Sequence, residues 1–271
     1  MDHFSDAIFD EKLIRRFDVN GPRYTSYPTA DRFVDAFDAN AYRSWLGQRT
    51  LGGIGRPLSL YVHVPFCDRV CFYCACNKII TGNHRRSAEY VRHAGKEMQL
   101  LSQALDGRRE VAQLHWGGGT PTFLADAEMR ELMGYIRNNF ALAANGEFSI
   151  EIDPRTVDVK RIGVLGELGF NRMSIGVQDF DPEVQQAINR IQSFAQTRTA
   201  IEAARASGFG SVSLDLIYGL PLQTLERFRK TLDEVVQLAP DRISLYNYAH
   251  LPRLFKSQRY IRQQDLPSPA D

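Results

Sequence analysis

The sequence of 271 residues has no long hydrophobic run and no excess of charge of either sign. No window approaches the ~18 consecutive apolar residues of a membrane-spanning helix. The first stretch, MDHFSDAIFDEKLIRRFDV, has no apolar core of the kind that a signal peptide carries. The formal net charge of +1 includes no block of like charge, so it indicates neither a nucleic-acid surface nor an acidic partner. We therefore expect a cytoplasmic protein that binds no nucleic acid and no membrane.

Cysteine is scarce, and its distribution is uneven. All four cysteines lie in CDRVCFYCACN, residues 67–77. A disulfide framework spreads its cysteines through a small secreted chain, so disulfides are the weak interpretation here. A structural zinc site would use a second, separated cysteine pair or an H-x3-5-H pair, and the sequence has neither.

The spacing of three of these cysteines favours an iron–sulfur cluster. Cys67, Cys71 and Cys74 follow C-x3-C-x2-C, which lets one short loop direct three thiolates at three corners of a cubane. The fourth iron then has no cysteine ligand and is open to a substrate or cofactor. On spacing alone, the zinc and disulfide alternatives stay open.

Six apolar, β-branched segments predict strands, and they alternate with segments of helical period. The predicted strands are 58–64, 111–116, 147–153, 172–178, 211–218 and 242–248, and the predicted helices are 87–105, 126–140, 159–168, 194–206 and 226–238. Such alternation is typical of parallel strands with right-handed helical crossovers, so we predict an α/β fold, a partial (β/α)6 barrel. Barrel chemistry collects at the carboxyl ends of the strands, and the cysteine loop directly follows the first one.

The barrel is expected to occupy only part of the chain. Residues 1–56 form a predicted amino-terminal extension, whose aromatic-rich segment FDVNGPRYTSYPTADRF is expected to pack on the barrel or contact substrate. Residues 57–255 form the barrel, and 256–271 begin a linker. No capping element follows the sixth strand, which would leave an exposed edge. We therefore expect that a carboxyl-terminal domain is absent.

Seven segments from Gly21 onward carry a resemblance to a known family. They are YVHVPFCDRVCFYCACNK, GPRYTSYPTA, LHWGGGTPT, SIEIDPR, MSIGVQDF, DLIYGLP and YNYAHLP. In combination they resemble the oxygen-independent coproporphyrinogen III oxidases of the radical S-adenosylmethionine (SAM) superfamily, whose proteins continue into a further carboxyl-terminal domain. The resemblance implies one [4Fe–4S] cluster on Cys67, Cys71 and Cys74, with one SAM on the open iron and a second SAM nearby.

The reaction that the resemblance implies belongs to haem biosynthesis. A 5′-deoxyadenosyl radical abstracts hydrogen from a propionate of coproporphyrinogen III, carbon dioxide leaves, and a vinyl group remains. Two rounds give protoporphyrinogen IX. The cofactors supply the difficult chemistry, while the protein supplies binding and a dry site. The resemblance also implies a monomer that receives electrons from a donor such as a flavodoxin or ferredoxin.

Residues at the strand ends are the candidates for the first SAM, and Tyr61, His63 and Glu151 among them are the expected catalytic residues. Tyr61 and His63 alternate on one strand and so share a face; on structural grounds alone they would be a buried, hydrogen-bonded pair. The family places Tyr61 against the first SAM and His63 near the cluster. Gly118 ends the second strand, where glycine lets the backbone approach a ligand. Glu151 ends the third and can accept bonds from ribose hydroxyls, although it could be a solvated rim charge. Asp153 is expected to point the other way.

A second set of residues matches the family positions around the second SAM. The set comprises Tyr73, Gly119, Thr120, Gln178, Arg190, Asp215 and Ala249. Without the resemblance, Arg190 would be taken for a surface residue. Cys76 is a hallmark of the family but has no assigned role. Ala75 stands where glycine is usual, and if that position needs a positive φ, alanine would cost about 1 kcal/mol.

Two rival functions are weighed against the oxidase. A haem-trafficking relative shares the barrel and the cluster but typically lacks both the GPRYTSYPTA type of segment and the fourth cysteine, and this sequence has both. We therefore expect a radical SAM oxidoreductase. The other alternative is an inactive fragment that only binds the cluster. If the chain is the oxidase barrel, we expect it to cleave SAM slowly but not to convert the macrocycle without a further domain that closes the barrel mouth.

Overall fold

A computed structural model describes residues 10–17, 19, 28–48, 57–105 and 109–268. Most of the aromatic-rich segment of the predicted extension, including residues 20–27, lies outside the described residues. Within the described ranges, no helix has the length and apolar character needed to cross a membrane.

The described elements alternate between strand and helix from residue 58 onward. The strands are β1 (Leu58–Val64), β2 (Phe66–Cys67), β3 (Ile79–Ile80), β4 (Glu110–Gly118), β5 (Ala141–Ile152), β6 (Arg172–Gln178), β7 (Ser211–Tyr218) and β8 (Arg242–Asn247). The helices are α1 (Glu11–Phe17), α2 (Ala39–Gly47), α3 (Arg85–Ala104), α4 (Asp126–Asn139), α5 (Val159–Glu167), α6 (Pro182–Ala187), α7 (Phe194–Ala206) and α8 (Leu225–Gln237). Short 3-10 helices lie at Pro121–Phe123 and Lys256–Tyr260, among others.

Six strands form one parallel sheet in the order β1-β4-β5-β6-β7-β8. Each long strand lies beside the next one along the chain, and the same right-handed crossover repeated in one direction places the crossover helices α3, α4, α5, α7 and α8 on one face. This is the arrangement of a partial barrel rather than of a doubly wound sheet. The predicted fold is confirmed, with β1 and β8 as the two edges of the sheet.

The two faces of the sheet differ in polarity because the strands alternate with a period of two. On β6, for example, Met173, Ile175 and Val177 are buried against the helices, while Ser174 and Gly176 face the other side. That other side is polar and internally bonded. Its bonded pairs are Ser59–Gln113, Tyr61–His63, His115–Ser149, His115–Glu151, Glu147–Arg172, Ser174–Asp215 and Ser213–Ser244. A barrel filled by branched apolar layers would look different, so this inner face is suited to a polar ligand.

The helices begin at the caps that their sequences supply. Ser193 caps α7 and forms a capping box with Gln196, while Asp158 and Thr224 accept bonds from the first turns of α5 and α8. These caps fix the helix starts just after the loops that follow the preceding strands. The predicted helix α7 and the predicted strands β1, β6 and β7 match the observed bounds.

The differences from the predicted elements have local causes. Strand β5 begins at Ala141, six residues early, because ALAANG has little strand propensity and is held only by pairing with Glu110 and Val111 of β4. Helix α6 has only six residues and starts at Pro182, too short for a periodic pattern to show. In the amino-terminal region, Leu46 of α2 is buried in the main core. The division into extension, barrel and linker stays a prediction.

The edge strand β8 exposes apolar side chains. Ile243 and Leu245 are 49% and 51% exposed, although their partners on β7, Leu214 and Leu216, are fully buried. The apolar face of the sheet therefore continues onto β8, but none of the described residues packs over Ile243 and Leu245 well enough to bury them. This agrees with the exposed edge that the sequence analysis expects at the sixth strand.

Candidate functional site

The cysteine loop is closed at its base by two very short strands. After β1 ends, Phe66 and Cys67 of β2 pair in parallel with Ile79 and Ile80 of β3. Backbone bonds from Ile79 N to Pro65 O (2.7 Å) and from Thr81 N to Cys67 O (3.0 Å) complete the closure. The loop between them carries the other three cysteines. It therefore sits at the carboxyl end of β1, as the sequence predicts.

Residues far along the chain fix the shape of this loop. The side chain of Asn189, whose φ of 55° suits asparagine, donates to Val70 O at 2.7 Å. Lys78 Nζ donates to Cys74 O at 2.9 Å, and Ser257 Oγ donates to the same carbonyl at 3.2 Å. The fully buried Gln258 donates to Tyr73 O at 2.9 Å. The loop is thus held by its own Lys78 and by two later parts of the chain, one at Asn189 and one at Ser257 and Gln258.

The three predicted ligand thiols are half-buried, whereas Cys76 is exposed. Burial raises the pKa of Cys67 to about 11, and the bond from Thr120 Oγ1 to its sulfur (3.5 Å) offsets only part of that effect. A hydrogen bond with Cys76 lowers the pKa of Cys74 to about 6, and the pKa of Cys76 is raised by the same bond. The bond between these two thiols therefore favours the thiolate form of Cys74 over that of Cys76.

A buried ion cluster lies directly beneath Cys71. Arg155 Nη2 and Arg190 Nη1 each lie 3.7 Å from Cys71 Sγ. Asp153 binds both arginines, at 2.6 Å from Arg155 Nη2 and 3.1 Å from Arg190 Nη1. Burial alone would raise the pKa of Asp153, but Arg190 and Arg155 outweigh it and hold that pKa below its ordinary value. Asp153 is therefore a carboxylate that neutralises part of the charge of the two guanidinium groups.

The expectation that Asp153 points away from the site is wrong. Residues two apart on a strand return to the same face, so Asp153 follows Glu151 toward the inner side rather than opposing it. Arg155 was missed altogether, although the segment SIEIDPR contains it. The feature of the sequence that could have revealed this pair is a carboxylate and an arginine two residues apart just past a strand end, because a bidentate ion pair forms easily there.

Tyr61, His63 and Glu151 belong to one connected group on the inner face. His63 Nε2 donates to Asn77 O at 2.8 Å, which leaves Nδ1 to accept from Tyr61 Oη at 3.0 Å. The Tyr61 ring stacks on His115 with centroids 5.7 Å apart. His115 Nε2 in turn donates to Glu151 Oε1 at 3.1 Å. The shared face of Tyr61 and His63 is confirmed, and His115 is a member that the sequence analysis missed.

The glycines at the end of β4 are required by contacts within the protein. A Cβ at Gly118 would lie 2.8 Å from the His63 ring, and its φ of +114° is itself unfavourable for other residues. A Cβ at Gly119 would lie 2.7 Å from Phe66 O. Gly118 N also donates to Glu151 Oε2 at 3.2 Å. The predicted ligand contacts of Gly118 and Gly119 stay predictions, because these packing contacts alone account for glycine.

The residues predicted for a second SAM fall into two places. Gln178 and Arg190 flank Gly176, where a Cβ would lie 2.9 Å from a side-chain nitrogen of each. Gln178 is buried and has a φ of 69°, a strained conformation of the kind that gathers at functional sites. Asp215 pairs in register with Gly176 on the neighbouring strand, and burial raises its pKa to about 6. These three are therefore neighbours at the ends of β6 and β7.

The other members of that set lie around the cysteine loop. Gln258 bridges Tyr73 O and Ala249 O, at 2.9 and 3.1 Å, and so brings these two predicted residues together. Thr120, in contrast, bonds to Phe66 O and Cys67 Sγ. Arg190 is buried rather than a surface residue, and its Nε has no partner among the described residues. An unpartnered buried donor is unusual and suits a site for a polar ligand.

Ala75 does not have the positive φ that would make alanine unfavourable there. The four described non-glycine residues with positive φ are Gln178, Asn189, Leu222 and Ala239. The cost expected for alanine depended on a positive φ at position 75. Because Ala75 has no positive φ, that cost does not arise, and alanine fits the loop here.

The fold and this geometry agree with the comparisons with known proteins. Residues 61–235 match the Radical SAM superfamily, which is more than half of the chain. The chain belongs to the radical SAM superfamily. Among solved structures, a radical SAM methyltransferase from Kitasatospora setae, solved with cobalamin and a [4Fe–4S] cluster bound, has the same fold with a TM-score of 0.54. The match covers 77% of this chain and 39% of the methyltransferase chain, at 15% sequence identity. Because the identity is so low, this likeness concerns the fold alone.

Two relatives of this radical SAM chain are far more similar. The oxygen-independent coproporphyrinogen III oxidase of Pseudomonas aeruginosa is 52% identical over 97% of this chain and 57% of its own length. That of Escherichia coli (strain K12) is 46% identical over 96% of this chain and 56% of its own. The solved structure of the Escherichia coli coproporphyrinogen III oxidase superposes with a TM-score of 0.89, at 45% identity, over 97% of this chain and 58% of that one. The chain thus spans somewhat more than half the length of these relatives.

Membership of the radical SAM superfamily implies a [4Fe–4S] cluster and SAM. The residues present fit a cluster: three thiols lie on one loop, and hydrogen-bond donors already reach the sulfurs of Cys67 and Cys71. Among the described residues, no group of three or more His, Cys, Asp or Glu is gathered around one metal-ion position. The fit therefore rests on the cysteine loop, whose soft thiolate donors are the usual ligands of iron–sulfur clusters.

Proposed function

We propose that this chain carries the cluster-binding and SAM-binding barrel of an oxygen-independent coproporphyrinogen III oxidase. The reaction would convert two propionates of coproporphyrinogen III to vinyl groups and give protoporphyrinogen IX. The observation that carries the proposal is the cysteine loop at the end of β1, beside the connected group of Tyr61, His63, His115 and Glu151. Identities of 46–52% to named oxidases over nearly the whole chain support this reaction over the haem-trafficking alternative.

The proposed cofactors are one cluster and two molecules of SAM. Cys67, Cys71 and Cys74 would hold the cluster, which when bound and reduced delivers the electron that cleaves SAM to methionine and a 5′-deoxyadenosyl radical. Tyr61, Gly118 and Glu151 would bind the first SAM. The second would be bound by Tyr73, Gly119, Thr120, Gln178, Arg190, Asp215 and Ala249.

The protein's own residues would orient the cofactor and protect the site. Glu151 already accepts bonds from His115 and Gly118 N, so its carboxylate is held in place before any ribose hydroxyl binds it. Partial burial, helped by the Glu151 charge, raises the pKa of Tyr61, so its hydroxyl stays protonated and continues to donate to His63 Nδ1, which fixes the ring beside the proposed SAM site. His63 would connect Tyr61 with the cysteine loop through its bond to Asn77 O.

The cellular setting is part of the proposal. We expect the protein to act as a monomer in the cytoplasm, with coproporphyrinogen III as substrate and with a flavodoxin or ferredoxin as electron donor. The extension of residues 1–56 is proposed to cover the barrel, with 57–255 as the catalytic barrel itself and 256–271 as the beginning of a linker.

The test begins with anaerobic reconstitution of the chain with iron and sulfide. We expect about four irons per chain and a visible charge-transfer band, because three clustered thiolates favour a cubane. Cys67→Ala, Cys71→Ala and Cys74→Ala should each lose most of the iron. Cys76→Ala is the matched control on the same loop and should keep most of it. Equal loss from all four variants would refute the three-ligand assignment.

The second part of the test concerns SAM. With dithionite as reductant, the reconstituted chain should release methionine and 5′-deoxyadenosine, and Glu151→Gln should slow this release while leaving the iron content unchanged. Formation of protoporphyrinogen IX from coproporphyrinogen III is then measured by fluorescence after oxidation. A cluster-containing chain that never cleaves SAM would contradict the proposed function.

A further inference from the structure

The sulfur of Cys71 differs from the other thiols in having two arginines beside it. Arg155 Nη2 and Arg190 Nη1 both lie at 3.7 Å from it. The sulfur of Cys67, by comparison, has a hydroxyl donor from Thr120. Arg190 also donates to Gly176 O at 2.7 Å and belongs to the proposed second SAM pocket. Arg155 has no role in the proposed function, so its position requires its own explanation.

Arg155 is held rigidly in this position by Asp153. Its Nε and Nη2 both bind the carboxylate, at 2.9 Å to Oδ1 and 2.6 Å to Oδ2, which is a bidentate pair. The side chains of Arg155 and Asp153 are only 18% and 9% exposed. The backbone N–H of Arg155 also donates to Asp153 Oδ1 at 3.0 Å. Nη2 carries two N–H groups, and it donates to Asp153 Oδ2 and to Cys71 Sγ. The bonds to Asp153 therefore hold Nη2 beside Cys71 before any ligand is present.

A positive donor at a ligand sulfur affects an iron–sulfur cluster in a defined direction. Reduction adds a negative charge to the cluster and its thiolates, and hydrogen bonds to the sulfurs stabilise that added charge. The interaction is strong where solvent is excluded, because the low local dielectric weakens screening. Removing the donor should therefore make reduction harder.

We propose that Arg155, fixed by Asp153, is a positioning residue that raises the reduction potential of the cluster through its contact with the Cys71 thiolate. The inference rests on the proposed cluster at Cys67, Cys71 and Cys74. It does not depend on the identity of the substrate. Arg155 would thereby help a donor of moderate potential to reduce the cluster.

The experiment is a redox titration of the reconstituted chain, followed by the electron paramagnetic resonance signal of the reduced cluster. The variants are Arg155→Gln, which removes the charge, and Arg155→Lys, which keeps the charge but loses the bidentate fork. The control is Arg69→Gln. Arg69 is an exposed residue of the cysteine loop that lines, together with Arg155, a cavity of about 720 Å³, and the hydrogen bonds to Cys71 Sγ come from Arg155 and Arg190 instead. Iron content is measured for every variant.

We expect Arg155→Gln to reduce the equilibrium constant for reduction at least tenfold, which is a shift of 59 mV to more negative potential for a one-electron couple. Arg155→Lys should shift in the same direction by less, and Arg69→Gln by less than twofold. If Arg155→Gln binds no iron, Arg155→Lys decides, and a wild-type potential in it overturns the proposal. Equal shifts in Arg155→Gln and Arg69→Gln overturn it as well. Failure of the wild-type chain to assemble any cluster would instead refute the cluster assignment itself.

Discussion

Gly118→Ala tests how closely the end of β4 is fitted to the inner face of the sheet. The new methyl group would lie 2.8 Å from the His63 ring and 2.9 Å from Val64 O, which is closer than carbon atoms approach in folded proteins. The carbonyl cannot move without disturbing the pairing of β1 with β4. The only relief is rotation of His63, which would break its bond to Asn77 O.

Two costs combine in this variant. Alanine at a φ of +114° costs roughly 1–2 kcal/mol in backbone strain, and overpacking of a filled site costs about 1–3 kcal/mol. We therefore expect the free energy of unfolding to fall by about 2–5 kcal/mol, out of a total of about 5–15 kcal/mol for an ordinary domain. The variant should also bind iron less completely, since the bond to Asn77 O helps to hold the cysteine loop.

The assay is urea unfolding followed by circular dichroism, with Gly134→Ala as the matched control. Gly134 lies in α4, and its added Cβ would have no atom within 4 Å, so alanine there should stabilise the protein by about 0.5–1 kcal/mol. The two identical chemical changes should thus have opposite signs at unchanged denaturant slope. Equal stability of Gly118→Ala and the wild-type chain would refute the argument from close packing and φ.

Three further predictions concern the proposed cofactor sites. Asp215→Asn should reduce the SAM stoichiometry of the reconstituted chain from two toward one without loss of iron, as equilibrium dialysis can measure; a wild-type value of one would contradict the two-SAM proposal. The same variant should change the pH dependence of stability. Because burial raises the pKa of Asp215 from 3.8 to about 6, the folded state holds the extra proton, and the contribution of Asp215 to the wild-type free energy of unfolding should fall as the pH rises from 4 to 6. The stability of Asp215→Asn should be flatter over that window in urea unfolding, and parallel curves would show that this carboxyl does not titrate as described. Tyr61→Phe should weaken SAM binding several-fold with unchanged iron content, whereas an equal loss of iron would indicate a purely structural role.

The sequence was informative where one pattern governs a long element. The strand at 172–178 was predicted with its observed bounds, because alternation of Met173, Ile175 and Val177 with small or polar residues has no other simple explanation. The cysteine spacing likewise located the loop and its strand end. The start of β5 could not be predicted, since residues 141–146 are held in the sheet by their neighbour rather than by their own propensity.

Parts of the site that depend on distant residues were not predictable from local patterns. Gln258 has no motif around it, and yet it is buried between Tyr73 O and Ala249 O. The Arg155–Asp153 pair beneath Cys71 requires a loop more than 80 residues away to fold over it. For Ala75, only the backbone angles could show that a positive φ is not needed. Long-range contacts of this kind leave no period in the sequence.

The support of the cysteine loop by Ser257 and Gln258 has a consequence for biosynthesis. The last proposed cluster ligand, Cys74, is separated by 183 residues from the hydroxyl that binds its carbonyl. At about 5–20 residues per second, a ribosome needs roughly 10–40 s to make that stretch. During this interval the thiols have emerged but lack part of the structure that later holds them. Before residue 258 has been synthesised, the cysteine loop lacks the hydrogen bonds from Ser257 and Gln258. We therefore expect the cluster to be inserted after translation has passed that point.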